Sequence, residues 1–131
     1  MNSNKKIKIL LIEDDPFLLN MYSTKFELEG FDIIAANNGK DGLKNIFDFH
    51  PDVVLLDLLM PKMNGFEVLE NIKKSNSEDI KKIPIILLTN LNQEEDIKRG
   101  MELGAVDYLI KAHFMPSEVV GKIERILEKN N

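Results

Sequence analysis

The sequence predicts an α/β domain of (βα)5 order, a doubly wound parallel sheet of five strands. Three observations predict it. Five short apolar runs, at Ile7–Ile12, Phe31–Ala36, Val53–Leu56, Ile83–Leu88 and Ala105–Ile110, lack strict polar alternation. Apolar runs of about four to eight residues suit strands buried on both faces. A helical pattern follows each run, and strands alternating with helices imply right-handed crossovers with helices on both faces of the sheet. The length, 131 residues, suits one domain with one substantial core. The folded unit is expected over residues 6–128, between short tails at 1–5 and 129–131.

Each helix carries its own signals. Asp15-Pro16 opens the first, since Asp can cap and Pro fits the first helical position. Leu18, Tyr22 and Phe26, with Leu19 alongside, form its inward stripe, and Glu29-Gly30 closes it with a C′ glycine. Leu43, Ile46 and Phe47 mark the second helix, which ends before His50-Pro51. Phe66, Leu69 and Ile72 mark the third. The polar stretch Lys73–Lys82 reads as a solvated loop or a frayed helix end. Asn92-x-x-Glu95 resembles a capping box for the fourth helix, which carries Ile97 and Met101 and stops at Gly104. Val119, Val120, Ile123, Ile126 and Leu127 form the stripe of the fifth, after Pro116.

Composition narrows the function classes. The net charge is −5, which argues against non-specific binding to nucleic acid or to anionic membranes. There is no cysteine, so thiol catalysis, disulfides and thiolate metal sites are excluded. No apolar run approaches the ~18 residues of a membrane span. Lys8 interrupts the first apolar run and Glu13-Asp14-Asp15 ends it, a poor signal peptide. A cytoplasmic protein is expected.

Ligands of parallel sheets sit beyond the carboxyl ends of the strands. Strand one ends in Glu13-Asp14-Asp15, strand three in Asp57, strand four in Thr89 and strand five in Lys111. Singly, each has a plain structural reading: a capping or loop Asp, a strand Thr, a solvated Lys. Together they deliver carboxylates, a hydroxyl and an ammonium to one edge. Two carboxylates ~4 Å apart repel by roughly 4 kcal/mol at an effective dielectric of ~20, so the cluster calls for a cation. Oxygen donors without His or Cys favour a hard ion, with Mg²⁺ the usual partner of carboxylates and phosphate oxygens. A lysine and a hydroxyl opposite it are suited to the remaining oxygens of a phosphoryl group.

These residues carry a resemblance. The stretches ILLIEDDP (9–16), PDVVLLDLLMPKMNGFEVL (51–69), PIILLT (84–89) and GAVDYLIKA (104–112) resemble the receiver domain of two-component response regulators, in particular its single-domain, chemotaxis-type members. The resemblance runs from about Lys6 to Leu127. It implies a flavodoxin-like strand order 2-1-3-4-5 and a phosphorelay role in which a sensor histidine kinase or histidine phosphotransfer protein passes a phosphoryl group to Asp57. It implies Mg²⁺ as the cofactor, held by Asp15 directly, by Asp14 largely through water, by Asp57 and by the backbone carbonyl of Leu59; Glu13 is expected outside the core ligand set. It implies that Thr89 and Lys111 bind phosphoryl oxygens, and that Tyr108 moves inward when Thr89 is drawn to the phosphate. Asn64-Gly65 is similar to the family's turn beside the site. The output would be a surface of helix four, strand five and helix five offered to a downstream protein, the chain being a monomer or weak dimer through that surface.

The sequence departs from the family pattern at three places. Ala112 follows the lysine where Pro is usual, Asn90 follows the threonine where a small residue is usual, and the apolar Leu59 stands two residues after the acceptor. Hydrolases with an aspartyl-phosphate intermediate typically carry a second acid at that last place, so Leu59 argues against turnover of external substrates. A degenerate, unphosphorylated receiver would lack the acids, the acceptor or the lysine, and all are present. His113 reads as a loop residue rather than a relay histidine. The chain is expected to be a stand-alone receiver or a domain of a longer regulator.

Overall fold

A computed structural model describes residues 6–90, 93–111 and 115–129. Its elements, in order, are β1 (Lys8–Ile12), α1 (Pro16–Leu28), β2 (Asp32–Ala36), α2 (Gly39–Phe49), β3 (Val53–Asp57), α3 (Gly65–Lys73), α4 (Glu78–Lys81), β4 (Ile85–Thr89), α5 (Glu94–Glu102), β5 (Asp107–Ile110) and α6 (Pro116–Lys129). All five strands are parallel in the order β2-β1-β3-β4-β5, the flavodoxin-like arrangement.

Alternation along the strands sorts the core into two layers. Leu10, Ile12, Val54, Leu56, Ile85 and Leu87 face α2, α3 and α4, meeting Ile46, Phe66, Leu69 and Ile80. Ile9, Leu11, Val53, Leu55, Ile86 and Leu88 face α1 and α6, meeting Tyr22, Phe26, Val119 and Ile123. The middle of both layers is shut off from solvent, with Ile9 to Ile12 and Val53 to Leu56 fully buried. Each such side chain contributes about 1.5–3 kcal/mol by leaving water, which fixes strand register tightly and so fixes what lies at the strand ends.

The glycine stops behave as the sequence predicts. Gly30 and Gly104 adopt left-handed φ of 97° and 119° after α1 and α5, the region where a side chain would be strained. Two expectations need correcting. The stretch Lys73–Lys82 contains a further helix, α4, because Ser77 caps it by accepting from the Ile80 N–H and Ile80 is buried against the sheet. The capping box for α5 does not form as expected: Asn92 lies outside the described residues, and the cap position belongs to Gln93, whose side chain makes no cap hydrogen bond.

Candidate functional site at the carboxyl edge of the sheet

Parallel strands in fixed register end together, so their terminal residues share one edge. Asp57 is the last residue of β3 and Thr89 the last of β4, while Glu13 and Lys111 immediately follow β1 and β5. Asp57 is paired in register with Leu88, and Thr89 with Ile110. Glu13, Asp57 and Thr89 are buried at 0%, 4% and 1% exposure. Polar groups so desolvated need partners: Glu13 and Asp57 find theirs in Lys111, and Thr89 finds its own in Gln93.

Lys111 is the centre of the network. Its Nζ lies 2.8 Å from Glu13 Oε1 and 3.1 Å from Asp57 Oδ2. Asp14 completes the acidic side: Glu13, Asp14 and Asp57 each place an oxygen within 4.8 Å of one another. This donor set of oxygens fits a hard divalent cation. Burial, and then the Glu13 carboxylate, push the Asp57 carboxyl up to about 7 against the pull of Lys111. Burial works against the Lys111 ammonium, but Glu13 and Asp57 outweigh it and raise its pKa. Tyr22 supports the lysine from α1, donating its hydroxyl to the Lys111 carbonyl at 3.0 Å; burial and Glu13 raise the pKa of that phenol.

The β3–α3 turn frames Asp57. The Leu59 N–H donates to Asp57 Oδ1 at 3.3 Å, while the Leu59 side chain is 51% exposed. Asn64 and Glu67 form a capping box at the start of α3, with bonds of 3.0 and 3.2 Å. Gly65 is required by contact: a Cβ there would sit 2.6 Å from the Asp57 carbonyl oxygen and 2.7 Å from the Leu58 Cα. Across the site, the Thr89 hydroxyl donates to Gln93 Oε1 at 2.9 Å. Tyr108 lies on β5, 42% exposed.

The structure thus brings Asp14, Asp57 and Lys111 together as the sequence suggests, with Thr89 on the same edge. It does not bring in Asp15. That carboxylate caps α1, accepting from the N–H groups of Phe17 and Leu18 at 2.9 and 3.3 Å. Glu13 takes its place in the cluster, with Oε2 also accepting the Asp15 N–H at 3.0 Å. The signal was present in the sequence: an Asp spent on capping at Asp-Pro leaves the two acids before it for the site. Tyr22 and Gln93 carried no such signal, because their contacts depend on which loops meet. Ala112 and His113 lie outside the described residues, and Asn90 is exposed.

Comparison with known proteins agrees with this geometry. A family model for the response regulator receiver domain matches residues 9–124. The chain is 40% identical over 123 residues to a CpxR-homologue transcriptional regulatory protein of Haemophilus influenzae, covering 94% of this chain and 51% of that protein. It spans about half the length of the curated relatives it matches. Among solved structures, a Francisella response regulator receiver domain superposes with a TM-score of 0.83 at 29% identity, covering 96% of this chain and 100% of that one. The chemotaxis response regulator CheY4 of Vibrio cholerae does so at 0.82 and 26%, covering 93% and 99%. An edge built from buried acids around one lysine, on this strand order and with this family match, places the chain in the response regulator receiver domain family.

Proposed function

We propose that the chain is a phosphorylation switch in which Asp57 accepts a phosphoryl group from a phosphohistidine of a sensor histidine kinase or histidine phosphotransfer protein. One observation carries the reading: Glu13, Asp14 and Lys111 converge on Asp57 at the carboxyl edge of the sheet. An Asp57 carboxylate oxygen forms the new P–O bond as the donor's P–N bond breaks, and the leaving imidazole takes up a proton. Such transfer depends on positioning and charge neutralisation more than on covalent help. Lys111 supplies one positive charge, already within 3.1 Å of the acceptor. Asp14, Asp57 and the Leu59 carbonyl would hold Mg²⁺, with Glu13 beside them; bound there, the ion offsets charge on the phosphoryl oxygens.

The product adds about −1.5 to −2 charges and three acceptor oxygens. The Thr89 hydroxyl then turns to a phosphoryl oxygen, Tyr108 fills the space behind it, and the surface of α5, β5 and α6 changes for a downstream protein. Catalysis is confined to the chain's own phosphorylation and dephosphorylation, since Leu59 supplies no second acid. Among the described residues no helix is long and apolar enough to cross a membrane, which suits a cytoplasmic switch.

Incubation with acetyl phosphate and Mg²⁺ should add one phosphoryl group by intact mass, and Asp57→Asn should abolish the gain. A gain that survives Asp57→Asn, or no gain in the parent, overturns the assignment.

A further inference from the structure

Gln93 stands outside the set of groups that meet the phosphoryl group, yet its side chain holds one of them. Its Oε1 accepts twice, from the Thr89 hydroxyl at 2.9 Å and from the Asn90 N–H at 2.7 Å. Its Nε2 donates to Asp96 Oδ2 at 3.3 Å. The amide orientation is therefore set by two neighbours. Turning it over would point an NH₂ at the Asn90 N–H and an oxygen at the Asp96 carboxylate, a clash at each end.

A threonine hydroxyl has a single proton to donate. In this structure the nearer acceptor of that proton is Gln93 Oε1 at 2.9 Å, with the Asn90 carbonyl a poorer one at 3.4 Å. Phosphoryl oxygens are acceptors only, so Thr89 can bind one of them only by giving up Gln93. The two acceptors compete for one hydrogen. Thr89 is also 1% exposed, so water does not readily substitute for either partner, and the exchange is close to a direct swap.

We propose that Gln93 is a positioning residue that holds Thr89 in the unphosphorylated arrangement and so sets how strongly a phosphoryl group at Asp57 must pull to throw the switch. The proposal rests on the phosphorylation reading above. Its recognisable consequence is that side chains at 93 tune the switch in either direction according to their strength as acceptors. Gln93→Leu removes the acceptor at similar volume. Gln93→Glu strengthens it, since hydrogen bonds to an ionised acceptor are stronger, and it is made together with Asp96→Asn so that its second oxygen does not face a carboxylate.

The probe is beryllofluoride with Mg²⁺, a mimic of the phosphoryl group, titrated into the full chain and followed by the Asn90 backbone amide in NMR spectra. A typical hydrogen bond corresponds to roughly a three- to tenfold change in an equilibrium constant. Gln93→Leu should bind the probe tighter by about that factor, and Gln93→Glu with Asp96→Asn should bind it more weakly than Asp96→Asn alone. In a Thr89→Ala background the change at 93 should lose its effect, because the shared proton is gone. A purely structural role for Gln93 would shift both variants the same way and persist in that background. Either of those results, or parent-like affinity in both variants, overturns the proposal. If Gln93→Leu fails to fold, Gln93→Glu with Asp96→Asn, and its combination with Thr89→Ala, still decide. A parent that binds no beryllofluoride and gains no phosphoryl mass refutes the phosphorylation reading instead, so the two failures are distinguishable.

Discussion

Asp14 and Asp15 are neighbours of the same type with different tasks, and backbone position separates them. Asp15 sits in extended conformation at the N-cap of α1, its carboxylate accepting two helix N–H groups; Asp14 lies with Glu13 and Asp57 in the acidic cluster. Asp14→Asn is therefore expected to weaken Mg²⁺ binding strongly in a calorimetric titration. Asp15→Ala should leave that affinity near the parent value while lowering stability by about 1 kcal/mol through the lost cap, seen in denaturant unfolding. The reverse pattern would return Asp15 to the ligand set. Leu59 permits a second test. Its exposed side chain cannot hydrogen-bond a water in line behind phosphorus, so Leu59→Asn should hasten decay of the aspartyl phosphate, measured by loss of phosphorylated mass after desalting. Orienting groups of this kind are worth large factors in rate, and an unchanged decay would show that Asn90 or another group controls the water. At this scale the sequence displayed Asp57, Thr89 and Lys111 clearly, because each ends an unmistakable apolar run. It displayed Glu13 less plainly, because three consecutive acids offer candidates for both coordination and capping, and only Pro16 after them marks Asp15 as the cap.

At the scale of elements, legibility followed burial. The strands were readable because Val53 to Leu56 and Ile85 to Leu88 are buried on both sides, which forces uninterrupted apolar runs. Their starts were less so: Phe31, Ile83 and Ala105 are apolar but precede β2, β4 and β5, packing at the turns rather than pairing. The helix α4 escaped because its four residues contain a single apolar one, Ile80, too short a stretch for any periodicity. Its visible sign was Ser77, a capping residue one step before two acids. The β3–α3 connection shows how an element boundary serves the site. Gly65 begins α3 hard against the backbone of Asp57 and Leu58, so the helix start and the strand end define each other's position. Gly65→Ala must push one of two backbones, a shift that typically costs about 1–3 kcal/mol. We expect a lower unfolding midpoint together with slower phosphorylation by acetyl phosphate, because the displaced backbone carries the acceptor. A stability loss with the parent rate would mean that α3 moves and Asp57 does not.

For the whole molecule, the site makes stability depend on pH in a direction opposite to that of most surface carboxylates. The sheet edge holds three carboxylates within reach of one another and one ammonium between two of them, all at or just beyond the ends of strands whose register the two core layers fix. The fold thus imposes a repulsion that the unfolded chain does not feel. Asp57 registers it on top of its burial, which is the larger cause, and its carboxyl is raised to about 7 from about 3.9 in an unfolded chain. Below about pH 4 both states carry the proton and the group exerts no penalty. As pH rises toward 7 the unfolded chain releases its proton while the folded chain retains it, so stability falls across that window. Above about pH 7 both are ionised and the loss is complete. Its size is of the order of a few kcal/mol, moderated by Lys111 and by relaxation of the surrounding shell. Asp57→Asn removes the titrating group and leaves the Lys111–Glu13 pair intact. It should therefore unfold at a higher temperature than the parent at pH 8 without divalent cation, with the gap closing as pH approaches 4. Mg²⁺ should raise the parent's midpoint at pH 8 and do much less for Asp57→Asn, because the ion relieves the same repulsion. Parallel midpoint curves for the two proteins from pH 4 to 8 would show that Asp57 is not held against its charge, and that the acidic edge is relaxed before any cation or phosphoryl group arrives.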